Sequence, residues 1–412
     1  MVEIANSAVV RRAAMKDVIG KRTSAALASP DGDACTPLTA VAVSQWAALA
    51  ERAVEPNGYY LPDWELAVNA GARERTGVSA LSAWSDASFA QDNAARLIGL
   101  MPVISMWRAC KIPLPALVSA DPYGTLCTPM LDRDMAGDAV IKLMRQARKA
   151  GAHALILRDV SLDGAAMTAF NEVMRQGGMR PRLLKSHVRA VLDSTRDADE
   201  LLREALGTKK LKELRRQRNR LAEHGAIRFD VARRPQEIAQ AVEIFLALEA
   251  SGWKARRGTA LMQDEGDAGF VRRATVALAE IGQCEIVSLR AGDTPVAAAI
   301  LLRHQDRAFY FKLGVDERFA KLSPGVQLTL DLTRHLCADP AIALADSTAD
   351  ADHPMINPIW RGRLAIGDVL IPLRRNDPVA SLIHAAIGLR SLVREPARSL
   401  VHFIRKRQEN PS

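Results

Sequence analysis

The sequence predicts a mixed α/β (α+β) fold in two successive halves, each a mainly antiparallel sheet flanked by helices. Three observations predict it. Short runs rich in β-branched and aromatic residues are separated by Gly, Asp and Asn turns. Longer segments between them place apolar residues at helical spacing. The same order of helices, meander, helix and further strand occurs before and after residue 196, and 412 residues exceed what one ordinary core accommodates.

In the first half, residues 1–36 end in the turn-rich SPDGDACTP and read as a poorly ordered leader. A helix over Val41–Arg52 carries Trp46 and Leu49 inward; Glu55-Pro56-Asn57-Gly58 ends it, and a second helix carries Trp64 and Leu66. Strands follow at Val78–Trp84, Arg96–Arg108 and Leu114–Ala120, with Asp86, Asp92 and Asn93 between the first two. Met135–Ala150 is a helix closed by Gly151, His153–Arg158 a buried strand, Gly164–Gln176 a helix closed by Gly177-Gly178, and Lys185–Leu192 a strand. This assigns 37–195 to one domain.

The second half, 196–376, opens with helices at Asp197–Leu206 and Lys209–His224 and a strand at Ile227–Val231. Pro235–Ser251 and Phe270–Ile281 are helices, and Cys284–Arg290, Pro295–Arg303 and Ala308–Val315 form a meander through the turns Ala291-Gly292-Asp293 and His304-Gln305-Asp306. A helix at Val326–Leu336 and strands at Ala341–Ala345 and Ala365–Pro372 complete it. Residues 377–412 form a basic, amphipathic helical tail. Its apolar positions suit packing on the protein's own core or a peripheral membrane contact through 379–406.

Lys plus Arg number 56 against 47 Asp plus Glu, an excess that favours acidic partners without choosing among them. The five cysteines form no CxxC pair and no His/Cys cluster has metal spacing, so neither a disulfide framework nor a metal is expected. No apolar run reaches transmembrane length and the N-terminus lacks a signal-peptide core, which predicts a cytoplasmic protein, at most peripheral to the inner membrane.

The stretch Phe311–Leu332 reads as strand end, loop and helix start. Ser323 suits an N-cap, Pro324 the first helical position, and Gly325 close approach of a ligand, so the stretch is either an ordinary capped helix or an anion site. Together with KKLKELRRQRNRLAEHG (209–225), LEASGWKARRGTAL (248–261) and DSTADADHPMINPIW (346–360), it resembles the GNAT acyltransferase superfamily, in the branch tied to bacterial cellulose and exopolysaccharide biosynthesis, itself related to the Fem-type transferases with two GNAT folds in tandem. The resemblance implies two tandem GNAT-like domains, acetyl-CoA or another acyl-CoA as donor, and an amine or hydroxyl of a glycan or glycan precursor as acceptor. It implies a thioester-binding strand at Phe311, Leu313 and Val315, and a pyrophosphate loop using Arg318, Ser323, Gly325, Val326 and Gln327. The loop departs from the family's Gly-rich pattern, with a single glycine and with Pro324 removing a donor, which leaves aminoacyl-tRNA open as the donor.

Acyl transfer needs a deprotonated acceptor, a polarised carbonyl and close positioning. Four residues are candidate bases: Glu249, Asp346, Asp350 and His353. Glu249 sits beside Gly252-Trp253-Lys254, where it serves either as base or as an ion-pair partner of Lys254 or Arg256. Asp346 follows a short strand and is either at the ligand edge or a turn residue. His353 titrates in the useful range or is plain surface. Trp253 and Trp360 are acceptor walls or core, and Lys254 binds an anion or water. The run Lys209–Arg220 carries seven Lys/Arg against one Glu, either a solvated face or a phosphate-binding surface for tRNA. A non-catalytic subunit of a polysaccharide-synthesis complex is the reading from another class.

Overall fold

The computed structural model describes residues 35–86, 95–252 and 258–392. The expected leader thus falls outside the described residues except for its last two positions, as do Trp253, Lys254 and the tail beyond 392. Thirteen strands form one sheet: β1 (Thr36–Pro37), β2 (Ser79–Trp84), β3 (Leu97–Ser105), β4 (Ala116–Ser119), β5 (Met130–Leu131), β6 (Ala154–Ser161), β7 (Arg182–Asp193), β8 (Ile227–Ala232), β9 (Cys284–Ala291), β10 (Thr294–His304), β11 (Arg307–Val315), β12 (Leu344–Asp346) and β13 (Gly362–Pro372). The helices are α1 (Val43–Glu51), α2 (Pro62–Gly71), α3 (Met106–Cys110), α4 (Ala136–Lys149), α5 (Ala165–Gln176), α6 (Ala198–Ala222), α7 (Pro235–Ala250), α8 (Glu265–Glu280) and α9 (Pro324–Cys337), followed by helix over 378–392.

Both halves build the sheet the same way. β1 to β4 and β8 to β11 are each consecutive antiparallel neighbours, and each set ends in a parallel partner, β6 beside β4 and β12 beside β11. The crossovers from β4 to β6 and from β11 to β12 run through α4 and α9, as parallel pairing requires. The halves meet where β7 pairs with β12 on one side and β13 on the other, and β13 inserts between β6 and β7. The last strand of the second half therefore completes the sheet of the first.

Local differences from the expected elements have local causes. The strand expected through Arg108 ends at Ser105, whose hydroxyl accepts the Arg108 N–H and caps α3. The two helices expected at 197–206 and 209–224 run as one element with a break at Gly207, which takes φ +68°. Ser323 also adopts a left-handed φ of +53° and makes no side-chain cap bond, so α9 starts at Pro324 without the expected N-cap.

One apolar cluster draws on both halves, from Leu38 and Trp46 through Trp64, Phe245, Phe270 and Phe309 to Ile366. Trp64 meets Tyr59, Phe270 and Phe311 edge-on at ring-centroid separations of 5.8, 5.5 and 4.8 Å, a geometry aromatic quadrupoles favour. Helices α2 and α8 cross at Gly266, where a Cβ would lie 2.0 Å from the Gly71 carbonyl oxygen. Residues 378–392 pack Val379, Ile383 and Ile387 against Met106 and Leu184 and leave Leu382, Leu389 and Leu392 exposed. No described helix is long and apolar enough to cross a membrane.

Glu65, on α2, is fully buried, and neither carboxylate oxygen meets a hydrogen-bond partner among the described residues. Burial, reinforced by Asp121, drives its pKa well above the ordinary carboxyl range against the opposing pull of Arg75. A carboxyl whose folded-state pKa exceeds its unfolded value contributes fully at low pH and loses that contribution as pH rises. We therefore expect Glu65→Gln to flatten the fall of thermal stability as pH rises above about 5, where the wild type loses up to about 1.4 kcal/mol per pH unit from this group. Parallel melting-temperature curves for the two proteins would show that Glu65 is solvated.

Candidate active site

A cleft of about 460 Å³ opens where β11 and β12 part. Among the described residues, these strands pair only through Arg307–Leu344, Ala308–Ala345 and Phe309–Asp346. Two local features force them apart. On β11, Tyr310 faces Leu301 and Lys312 faces Ile300, so Phe311 is an extra residue, a bulge that bends the strand. On β12, the Asp346 carboxylate accepts the Thr348 N–H at 2.9 Å, an Asx turn, and Thr348 takes φ +47°. The apex is pinned by Thr348, whose Oγ1 donates to the Tyr310 carbonyl at 2.6 Å and accepts from the Tyr59 hydroxyl at 3.2 Å. Beyond the apex, the β11 backbone borders the cleft without a β12 partner.

Behind the apex lies the Asp346–Arg189 pair at 2.5 Å, both side chains wholly buried. Arg189 also donates from Nη1 to the Thr125 carbonyl and hydroxyl oxygens. This ties β7, β12 and the Thr125 loop into one floor.

The first half supplies the facing wall: Tyr59, Tyr123, Gly124 and Thr125. Asn57 sets the Tyr59 turn by accepting its N–H, and burial raises the Tyr59 phenol pKa, keeping it protonated. Asp121 accepts the Tyr123 N–H, Arg75 stacks 4.2 Å from the centre of its ring, and its hydroxyl donates to Asp267 at 2.8 Å. Lys312, Asp350 and His353 bring charge or titratable nitrogen to the cleft. Burial lowers the His353 pKa against the opposing pull of Asp350.

Of the residues singled out in the sequence, Phe311, Leu313, Val315 and His353 line the cleft. Asp346 lies just behind its apex, bound to Arg189 and Thr348. Glu249 is buried on α7 and accepts the Leu261 N–H at 2.8 Å, holding the turn that precedes α8. Trp360 is core, its indole N–H donating to the Thr333 hydroxyl. Gln327 donates to the Leu214 carbonyl and joins α9 to α6. Arg318 folds back onto Asp316 with contacts of 2.7 to 3.1 Å. Gly325 is packed so that a Cβ would lie 2.9 Å from Leu313, 3.1 Å from Val315 and 3.5 Å from Met355, which places the start of α9 directly behind the cleft wall. Sequence reasoning missed Tyr123, Thr125, Arg189 and Thr348; the only signal for Tyr123 was an aromatic residue set among turn formers in Asp121-Pro122-Tyr123-Gly124.

Residues 208–352 match the acetyltransferase (GNAT) domain family. The match begins within α6, just past Gly207, and ends at Asp352, so it includes the parting strands, the bulge and the α9 start; this segment is a GNAT-type acetyltransferase domain. In fold, the chain is similar to FemX, with a TM-score of 0.54 and 12% identity over 84% of this chain and 98% of that one. It is also similar to a conserved protein of unknown function from Bacteroides thetaiotaomicron VPI-5482, with a TM-score of 0.50 and 12% identity over 80% of this chain and 98% of that one. No protein of curated function matches the sequence.

Proposed function

We propose that the protein transfers an acyl group, acetyl in the simplest case, from an acyl-CoA thioester to an amine or hydroxyl of a glycan or glycan precursor. The parting of β11 from β12 carries this reading, because it leaves strand amides free to bind an extended donor and polarise its carbonyl. Residues 196–376 hold the donor and residues 37–195 shape the acceptor side, where half-buried Tyr123 offers aromatic surface suited to a sugar ring and Tyr59 backs the wall. Asp350 receives the acceptor's proton, while Asp346 positions the apex and Glu249 the loop before α8. For a diphosphate, the α9 start offers Ser323 and the amides of Gly325 and Val326, donors that precede the first intrahelical bond, Gln327 N–H to Ser323 O.

One observation favours a second reading, an aminoacyl-tRNA donor. Pro324 lacks an N–H and Arg318 is committed to Asp316, whereas α6, packed on α9, carries the run Lys209–Arg220 with Lys209, Lys212, Arg216 and Arg220 exposed. Incubating the protein with radiolabelled acetyl-CoA and amino-sugar acceptors, and separately with charged tRNA, distinguishes them. Acceptor-dependent thiol release supports the first; silence with every acyl-CoA, alongside salt-sensitive tRNA binding, replaces it with the second.

A further inference from the structure

We propose that His353 acts as a fixed hydrogen-bond donor to the bound acyl donor, through Nε2–H, and is not the base. The geometry behind this is local. His353 begins the turn His353-Pro354-Met355-Ile356, and two backbone N–H groups, of Met355 and Ile356, donate to its Nδ1 at 3.3 and 3.4 Å. The Asn357 N–H donates back to the His353 carbonyl at 3.2 Å and closes the turn. The imidazole thus replaces the short side-chain oxygen that ordinarily caps such a turn. A ring nitrogen that accepts two N–H groups carries no proton, so in the neutral ring the proton resides on Nε2. Nε2 is the remaining polar atom of a side chain that lines the cleft.

A base at this position would have to accept a proton on Nε2, which already holds one, or on Nδ1, which faces two donors. A donor has no such difficulty: its target is the acyl oxygen or the departing heteroatom, where negative charge gathers during transfer. The titratable groups sharing the cleft with it are Tyr59, Tyr123, Tyr310, Lys312 and Asp350. Protonation of the ring keeps Nε2–H but places a proton on Nδ1 against the Met355 and Ile356 N–H groups, so an acid limb from His353 reflects loss of the turn and not loss of the donor.

This inference rests on the acyl-transfer reading, and paired amide substitutions test it. Glutamine places an N–H near the Nε2 position and loses the turn cap; asparagine places an oxygen near the Nδ1 position, keeps the cap and loses the donor. Donation predicts that His353→Gln retains kcat/KM within about tenfold while His353→Asn falls about 100-fold. Comparable losses in both variants would make His353 a base, and retention in His353→Asn with loss in His353→Gln would make it only a cap; either result overturns the proposal. A long-range ¹H–¹⁵N spectrum of the wild type needs no turnover and separates failure of this inference from failure of the functional reading. A proton on Nε2 at neutral pH supports the assignment, and a proton on Nδ1 ends it.

Discussion

Replacing Arg189 with alanine will cost about 3–5 kcal/mol of folding stability, the range found when one partner of a buried ion pair is removed. Both Arg189 and Asp346 are wholly shielded from water, and at 2.5 Å each is, among the described residues, the other's only opposite charge in contact. Without Arg189, the Asp346 carboxylate stays buried between β7 and β12, compensated only by the Thr348 N–H. The Thr125 loop also loses both contacts to the guanidinium. Desolvation decides the size of the effect, since a carboxylate left alone in such surroundings costs far more than a hydrogen bond returns. The double variant Arg189→Met/Asp346→Leu removes both charges and should recover to within about 2 kcal/mol of wild type. Its transfer activity should nevertheless stay low, because the Asx turn that parts the strands needs the Asp346 carboxylate. Urea denaturation of the three proteins measures the first two points. A loss below about 1 kcal/mol in Arg189→Ala would mean that water reaches the pair.

How much of this was legible beforehand differs by scale. The meander of the second half was readable because its turns carry their own chemistry, as in Ala291-Gly292-Asp293, whereas the joining of the two expected helices into α6 across Gly207 was not. The insertion of β13 between β6 and β7 was not readable. A strand such as Gly362–Pro372 states its burial through alternation but says nothing about a neighbour some 200 residues away. The site divides the same way. The bulged strand and the α9 start are contiguous and were recognised as a unit. Arg189 lies in a strand whose sequence, LLKSHVRAVL, resembles a half-exposed edge, and its meaning depends on Asp346, 157 positions later. Trp360 reads as acceptor wall or core and Glu249 as base or ion-pair partner, the structural reading being favoured for both; which partners hold the buried indole and carboxylate, Thr333 and Leu261, composition cannot supply.

Gly124→Ala will lower kcat/KM by about 100-fold or more, the scale of loss expected when reacting groups shift by about 1 Å. A Cβ on Gly124 would fall 2.5 Å from Cδ1 of the Tyr59 ring, 2.6 Å from Cε1 and 2.7 Å from Cγ. The ring cannot step aside. Trp64, Phe309 and Phe311 surround it at centroid separations of 5.8 to 6.1 Å, and its hydroxyl is bonded to Thr348. The wall must therefore move, carrying Tyr123 and Thr125 with it and disturbing the Thr348 link that pins the apex. The stability cost, about 1–3 kcal/mol as for other overpacked cores, leaves the protein folded at 25 °C, so the loss of activity reports cleft geometry. A compensating Tyr59→Phe does not relieve the clash, because the obstructed atoms belong to the ring, whereas Tyr59→Leu in the Gly124→Ala background should restore part of the activity by vacating that space. Steady-state kinetics on the single and double variants settles the point: an unimpaired Gly124→Ala enzyme would show that the wall contributed by the first half takes no part in positioning the substrates.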